Sequence, residues 1–113
     1  MERKTPLART AKPGQRRLRR PAMDKDLRAS VIHRAMHTCE LCGRWADPDT
    51  LQAHHRKLRT RGGEDSLENL VALHLECHGW VHANPAEATA LGFMVSAWGD
   101  PAEIPVMLHR RSP

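Results

Sequence analysis

The chemistry-bearing residues of this chain fall into two groups. The first is Cys39-x2-Cys42 and His74-x2-Cys77, two knuckles of one shape separated by 31 residues. A two-residue spacer lets neighbouring ligands converge on one ion, and Zn²⁺ accepts a Cys₃His set in tetrahedral geometry. The competing reading makes Cys77 a small buried hydrophobe and His74 a strand-end residue. The second group is His54, His55, Asn69, His78 and His82. His78 and His82 are four apart, which on a helix is one face. His54 and His55 are adjacent, and on a strand adjacent side chains point to opposite faces. One of that pair can therefore join His78 and His82 on a metal while the other faces a reaction centre. Three imidazoles make an open site, with positions left for water and substrate. Nitrogen donors favour Zn²⁺, Ni²⁺, Mn²⁺ or Co²⁺ over a hard ion such as Mg²⁺. Arg56, Lys57, Arg59 and Arg61 follow directly, a run suited to phosphate oxygens.

These residues need elements to position them. In "DKDLRASVIHRAMH", Leu27, Val31 and Ala35 recur every four residues with Ile32 and Met36 beside them, which predicts a helix over 24–37 with Asp24 as N-cap. "CELCGR" predicts a tight turn closed by Gly43. "LQAHH" at 51–55 and "NLVALH" at 69–74 predict two short strands, and the stretch between them is too polar and glycine-rich for either strand or core helix. From Leu75 to His82 the histidine spacing suits a helix. Asn84 is expected to cap a further short helix, with Pro85 at its first position, Glu87 at its third and Gly92 at its close. "FMVSAW" and "IPVML" predict a closing pair of strands, the second an edge because of Pro105.

Length and charge set the frame. At 113 residues the chain is one domain with a modest core, the size at which a metal commonly supplements packing. Three cysteines cannot pair evenly, and no apolar run suits a signal peptide or a membrane span, so the expectation is a reducing, cytoplasmic compartment and no membrane partner. The net charge of +5 is uneven: residues 1–22 hold eight basic residues against one acidic, leaving −2 for the remainder. Arg16, Arg17, Arg19 and Arg20 lie in this proline-containing tail, expected to be disordered and attracted to nucleic acid; the alternative is a solubilising leader. The expected organisation is a tail over 1–22, a single folded domain over 23–100 and a C-terminal extension over 101–113.

The stretch "AHHRK…GGEDSLENLVALHLECHGWVH" closely resembles the HNH endonucleases over about residues 36–84. The resemblance implies a small α+β fold: a ββα-metal core, a hairpin crossed by a helix around one divalent ion, with a zinc-knuckle pair and flanking helices. It implies His55 as general base, His54, His78 and His82 as metal ligands, and Asn69 as a brace behind the base. Most such proteins carry cysteine at the position of His74. The implied reaction is hydrolysis of a DNA phosphodiester to a 5′ phosphate and a 3′ hydroxyl, with water deprotonated by an imidazole that titrates near neutral pH. The implied cofactors are a structural Zn²⁺ and a catalytic Mn²⁺, Ni²⁺, Zn²⁺ or Mg²⁺. The "RKTPLAR" leader and the "HANPAEATALGF" continuation also resemble small phage-encoded members, which implies a bacterial host cell, a role in genome packaging and a phage terminase as partner beside DNA. Two other functions compete: a non-catalytic, zinc-stabilised DNA-binding module, and a zinc-finger adaptor between proteins. A base at His55 and an intact Asn69 are superfluous to the first, and the second lacks an evident exposed apolar surface and has no use for the charged tail.

Overall fold

The computed structural model describes residues 23–111. The basic tail expected over 1–22, with its arginines, lies outside the described residues. Helix α1 (Lys25–Arg34) starts where expected, because the Asp24 carboxylate accepts the Asp26 N–H at 2.8 Å. Its Val31 and Ile32 are buried. The helix stops three residues short of the predicted end. Met36 and His37 take left-handed φ values of 57° and 61°, and Met36 is exposed instead of extending the apolar face. The cause is the knuckle that follows. Thr38 bridges to Trp45 and the Cys39 N–H reaches the Arg44 carbonyl at 2.9 Å, so the chain must reverse before the first cysteine.

Strands β1 (Gln52–His55) and β2 (Leu70–Leu73) form an antiparallel hairpin in which Gln52 faces Leu73 and His55 faces Leu70. Helix α2 (Leu75–Ala83) crosses the hairpin, and the short helix α3 (Pro85–Ala90) follows. All four β2 residues are buried, as expected of a strand that α1 and α2 both contact. Val31, Leu41, Leu51, Leu70, Leu73, Val81 and Phe93 fill the core between these layers. This is a small α+β fold with a ββα core and flanking helices.

The knuckle is fastened to the free edge of β2 by Glu40. Its N–H donates to the Ala72 carbonyl and its carboxylate accepts the Ala72 N–H, both at 2.8 Å, while Arg34 neutralises it at 2.8 Å. One oxygen of a buried carboxylate thereby takes both a backbone N–H and a guanidinium, and an exposed sheet edge is covered.

Two expectations fail beyond the hairpin. The predicted closing strands do not form: among residues 93–98 only Val95 bridges, to Lys57, and 104–108 contains no strand. The carbonyls of Gly92, Pro101 and Ile104 are turned instead toward the Arg56 guanidinium. The side chain of Asn84 does not cap α3; it donates backward to the Trp80 carbonyl at 3.0 Å and so closes α2. The segment after Glu103 folds back over the knuckle, with His109 N–H on the Glu40 carbonyl and Arg111 N–H on that of Leu41.

Candidate functional site

Cys39, Cys42, His74 and Cys77 converge into one cluster whose donor atoms all lie within 4.8 Å of one another. His74 Nε2 is 3.9 Å from both the Cys42 and the Cys77 sulfur. Zn–S and Zn–N bonds of ~2.3 and ~2.1 Å set such donors about 3.5 Å apart on a tetrahedral ion, so these four fit Zn²⁺ after a contraction of a few tenths of an ångström. Gly43 makes the knuckle possible: its φ of 83° is open to glycine, and a Cβ there would approach the His109 ring to 3.0 Å. Burial pushes the Cys77 thiol up to about 12, with the neighbouring cysteines adding to it, so that thiol stays protonated until a cation compensates it. His74 is pulled down by burial and then by the Arg44 charge, which favours the neutral, ligating imidazole.

His54, His78 and His82 form the second cluster. The His54 ring lies edge-on to both others, at centroid separations of 5.0 and 5.4 Å. His78 Nε2 and His82 Nε2 are 3.2 Å apart, close to the ~3.4 Å expected of two imidazoles sharing one tetrahedral ion. The second ring nitrogens of His54 and His78 are pinned from behind. His54 Nε2 donates to the Phe93 carbonyl at 2.9 Å, and His78 Nδ1 is held by the Gln52 side-chain oxygen. Such backing fixes tautomer and ring plane, leaving His54 Nδ1 and His78 Nε2 as the free donors. Burial, and then the other imidazoles, bring His54 down to about 4; burial and then His82 lower His78. The cluster is thus suited to a cation and unsuited to three protons. Gln52 was not anticipated, yet it stands two residues before His54 on the same strand face, a signal available in the sequence.

His55 points away from this trio, as strand alternation requires. Its Nε2 lies 2.7 Å from Asp65 Oδ1. It nonetheless lines the same open cleft of about 370 Å³ as His54, Leu58, Arg59, His78 and His82. Asn69 touches no imidazole. Its side-chain oxygen accepts the Lys57 N–H at 2.7 Å, and its amide donates to the carbonyls of Lys57 and Glu64 at 3.0 and 2.9 Å. It staples the end of β1 to the glycine loop.

The basic run divides. Arg56, expected on phosphate, is 2 % exposed and donates to the carbonyls of Gly92, Glu68, Pro101 and Ile104. That assignment is corrected: Arg56 is a structural hub, withdrawn from any DNA backbone. Lys57 reaches the Gly99 carbonyl at 3.1 Å, Arg59 pairs with Asp65 at 2.9 Å, and Arg61 is exposed. No helix among the described residues is long and apolar enough to cross a membrane.

Comparison with known proteins gives one match: the family model described as HNH endonuclease fits residues 39–84, from the first knuckle cysteine to the end of α2. No curated protein and no solved structure matches the chain.

Proposed function

We propose that this chain, an HNH endonuclease family match over residues 39–84, hydrolyses DNA phosphodiesters with His55 as general base and His54, His78 and His82 as ligands of a divalent ion. The carrying observation is the division of labour on β1: consecutive histidines open onto one cleft, one aimed at the imidazole trio and the other held apart from it. A ligand cannot also serve as base, and this arrangement supplies each separately. His55 accepts a proton from water as its oxygen bonds to phosphorus; the 3′ oxygen leaves, takes a proton from solvent, and a 5′ phosphate and a 3′ hydroxyl result. A divalent ion on the trio supplies charge stabilisation at the phosphate. Asn69 holds the Lys57–Glu64 loop against β1, and in this reading Lys57, Arg59 and Arg61 take flanking phosphates.

The Cys39, Cys42, His74 and Cys77 cluster holds a structural Zn²⁺ in this reading, and the tail arginines Arg16, Arg17, Arg19 and Arg20 add DNA affinity. Genome packaging beside a phage terminase is proposed from resemblance to phage-encoded proteins, and co-purification with a terminase tests it. The activity itself is tested on supercoiled plasmid with and without chelator. Wild type should nick in Mn²⁺ or Ni²⁺ at least as well as in Mg²⁺. His55→Ala should keep zinc and DNA binding while nicking falls by ~10²–10⁴-fold. Intact binding without nicking by wild type in any metal would point instead to the DNA-binding module.

A further inference from the structure

Asp65 lies outside every role assigned so far, yet the loop that carries it is held closely on both sides. Gly63 donates to the Leu58 carbonyl at 2.9 Å, and a Cβ on it would come within 1.7 Å of the Lys57 carbonyl oxygen, so only glycine lets the loop lie this close. One residue before Asp65, the Glu64 carbonyl is tied by Asn69 at 2.9 Å. Both measures fix where the carboxylate stands. Its Oδ1 meets His55 Nε2 at 2.7 Å, and Arg59 Nη2 grips Oδ1 and Oδ2 at 3.0 and 2.9 Å. The hydrogen bond from His55, and then Arg59, hold the carboxyl below the usual carboxylate range. An ionised carboxylate only accepts, so the proton in the 2.7 Å contact belongs to His55 Nε2. Neutral His55 then carries its lone pair on Nδ1.

We propose that Asp65 is the positioning residue of His55, fixing the Nε2–H tautomer and the ring plane so that Nδ1 takes the proton from the attacking water, with Arg59 holding the carboxylate in place. This rests on the reading of His55 as the general base. Asp65 touches no reacting atom and acts only through the imidazole, as the third member of a nucleophile–base–orienter arrangement does. Nothing in the residue pattern singled it out, since an acidic residue in a polar loop is ordinarily solvated surface.

The isosteric Asp65→Asn variant is the discriminating test. Arg59 donates to whichever oxygen remains, so the amide NH₂ should turn toward His55 and donate, moving the ring proton to Nδ1. A purely structural Asp65 would tolerate asparagine better than alanine. Positioning predicts the reverse: in the full-length, metal-loaded protein, Asp65→Asn should lower kcat roughly 10²-fold or more, at least as far as Asp65→Ala, with KM for DNA little changed. Nitrogen-15 spectra of labelled histidine should show His55 as the Nε2–H tautomer in wild type and Nδ1–H in Asp65→Asn. The double variant His55→Ala/Asp65→Asn should be no slower than His55→Ala. Near wild-type kcat in Asp65→Asn, or a wild-type Nδ1–H tautomer, would overturn the proposal. Near wild-type nicking by His55→Ala would instead remove the base assignment, a separate and separately visible failure.

Discussion

Arg56 and Arg61 show how far the fate of one residue type depends on what surrounds it. Five residues apart in one basic run, they meet opposite conditions: Arg56 is buried among backbone carbonyls, while Arg61 ends the exposed turn Arg59–Arg61. A buried guanidinium is tolerated because four backbone carbonyls accept from it, and burial pulls its pKa down without removing its charge. Arg56→Ala should therefore destabilise the fold by roughly 3 kcal/mol or more, since it strands several acceptors at once. Thermal unfolding of the zinc-loaded protein measures this, and an unchanged midpoint would show that the hub is dispensable. Arg61→Ala should leave the midpoint alone and reduce the salt slope of DNA binding by about one unit, as loss of one phosphate contact does. A salt slope unmoved by Arg61→Ala would place the DNA path elsewhere.

At the scale of elements, the segment after Glu103 behaves as a strap across the zinc knuckle. Met107 donates to the Leu91 carbonyl and His109 to that of Glu40, both at 2.9 Å, and Arg111 donates to Leu41 at 3.0 Å. The Arg111 guanidinium reaches the Cys77 sulfur at 3.3 Å and lies 5.4 Å from the Trp80 ring centroid. Three thiolates on one Zn²⁺ leave a net negative charge, which a nearby guanidinium stabilises while the strap excludes solvent. Truncation after Glu103 should speed zinc release to a colorimetric chelator by tenfold or more, and Arg111→Ala should reproduce part of that; equal release rates would make the strap incidental. This contact is illegible in the sequence because it joins residues 34 positions apart through a segment with no periodic pattern. The predicted closing strands failed for the same reason: Phe93–Trp98 has strand-like composition, but long-range contacts to Arg56 decide where its backbone turns. What was legible is local. The i,i+4 spacing of His78 and His82, the opposed His54 and His55, and the two-residue knuckle spacers all act within one element. The individual elements follow from them, while their ββα arrangement was what the resemblance to the HNH endonucleases implied. Asp65 and the Arg56 hub do not, because each exists only once the loop and the hairpin have met.

The whole molecule joins two candidate metal clusters of opposite character through one hairpin and α2. The cysteine cluster supports the fold: Cys39 and Cys77 are fully buried in a core of only 16 buried apolar residues among the described ones. The histidine cluster lies on an open cleft, with His82 exposed and His78 half-buried. Their protonation differs as well. Thiols must release protons to bind Zn²⁺, whereas His54, held near 4 mainly by burial, is already neutral at pH 7. Because the folded pKa of His54 lies below the usual imidazole value of ~6.5, its contribution to stability is present above pH ~6.5 and is lost as pH falls toward 4. Titrating Zn²⁺ into stripped protein at pH 7 should thus show two events. The first equivalent should release about three protons and restore helical circular dichroism; the second should release almost none and restore nicking alone. Calorimetry in two buffers of different ionisation enthalpy counts the protons. In the reverse direction, mild chelation should abolish nicking while the dichroism persists, and only prolonged stripping should unfold the chain. Simultaneous loss of activity and fold, at the same chelator concentration and rate, would mean that the two clusters are not independent and that the histidine ion also holds the structure together.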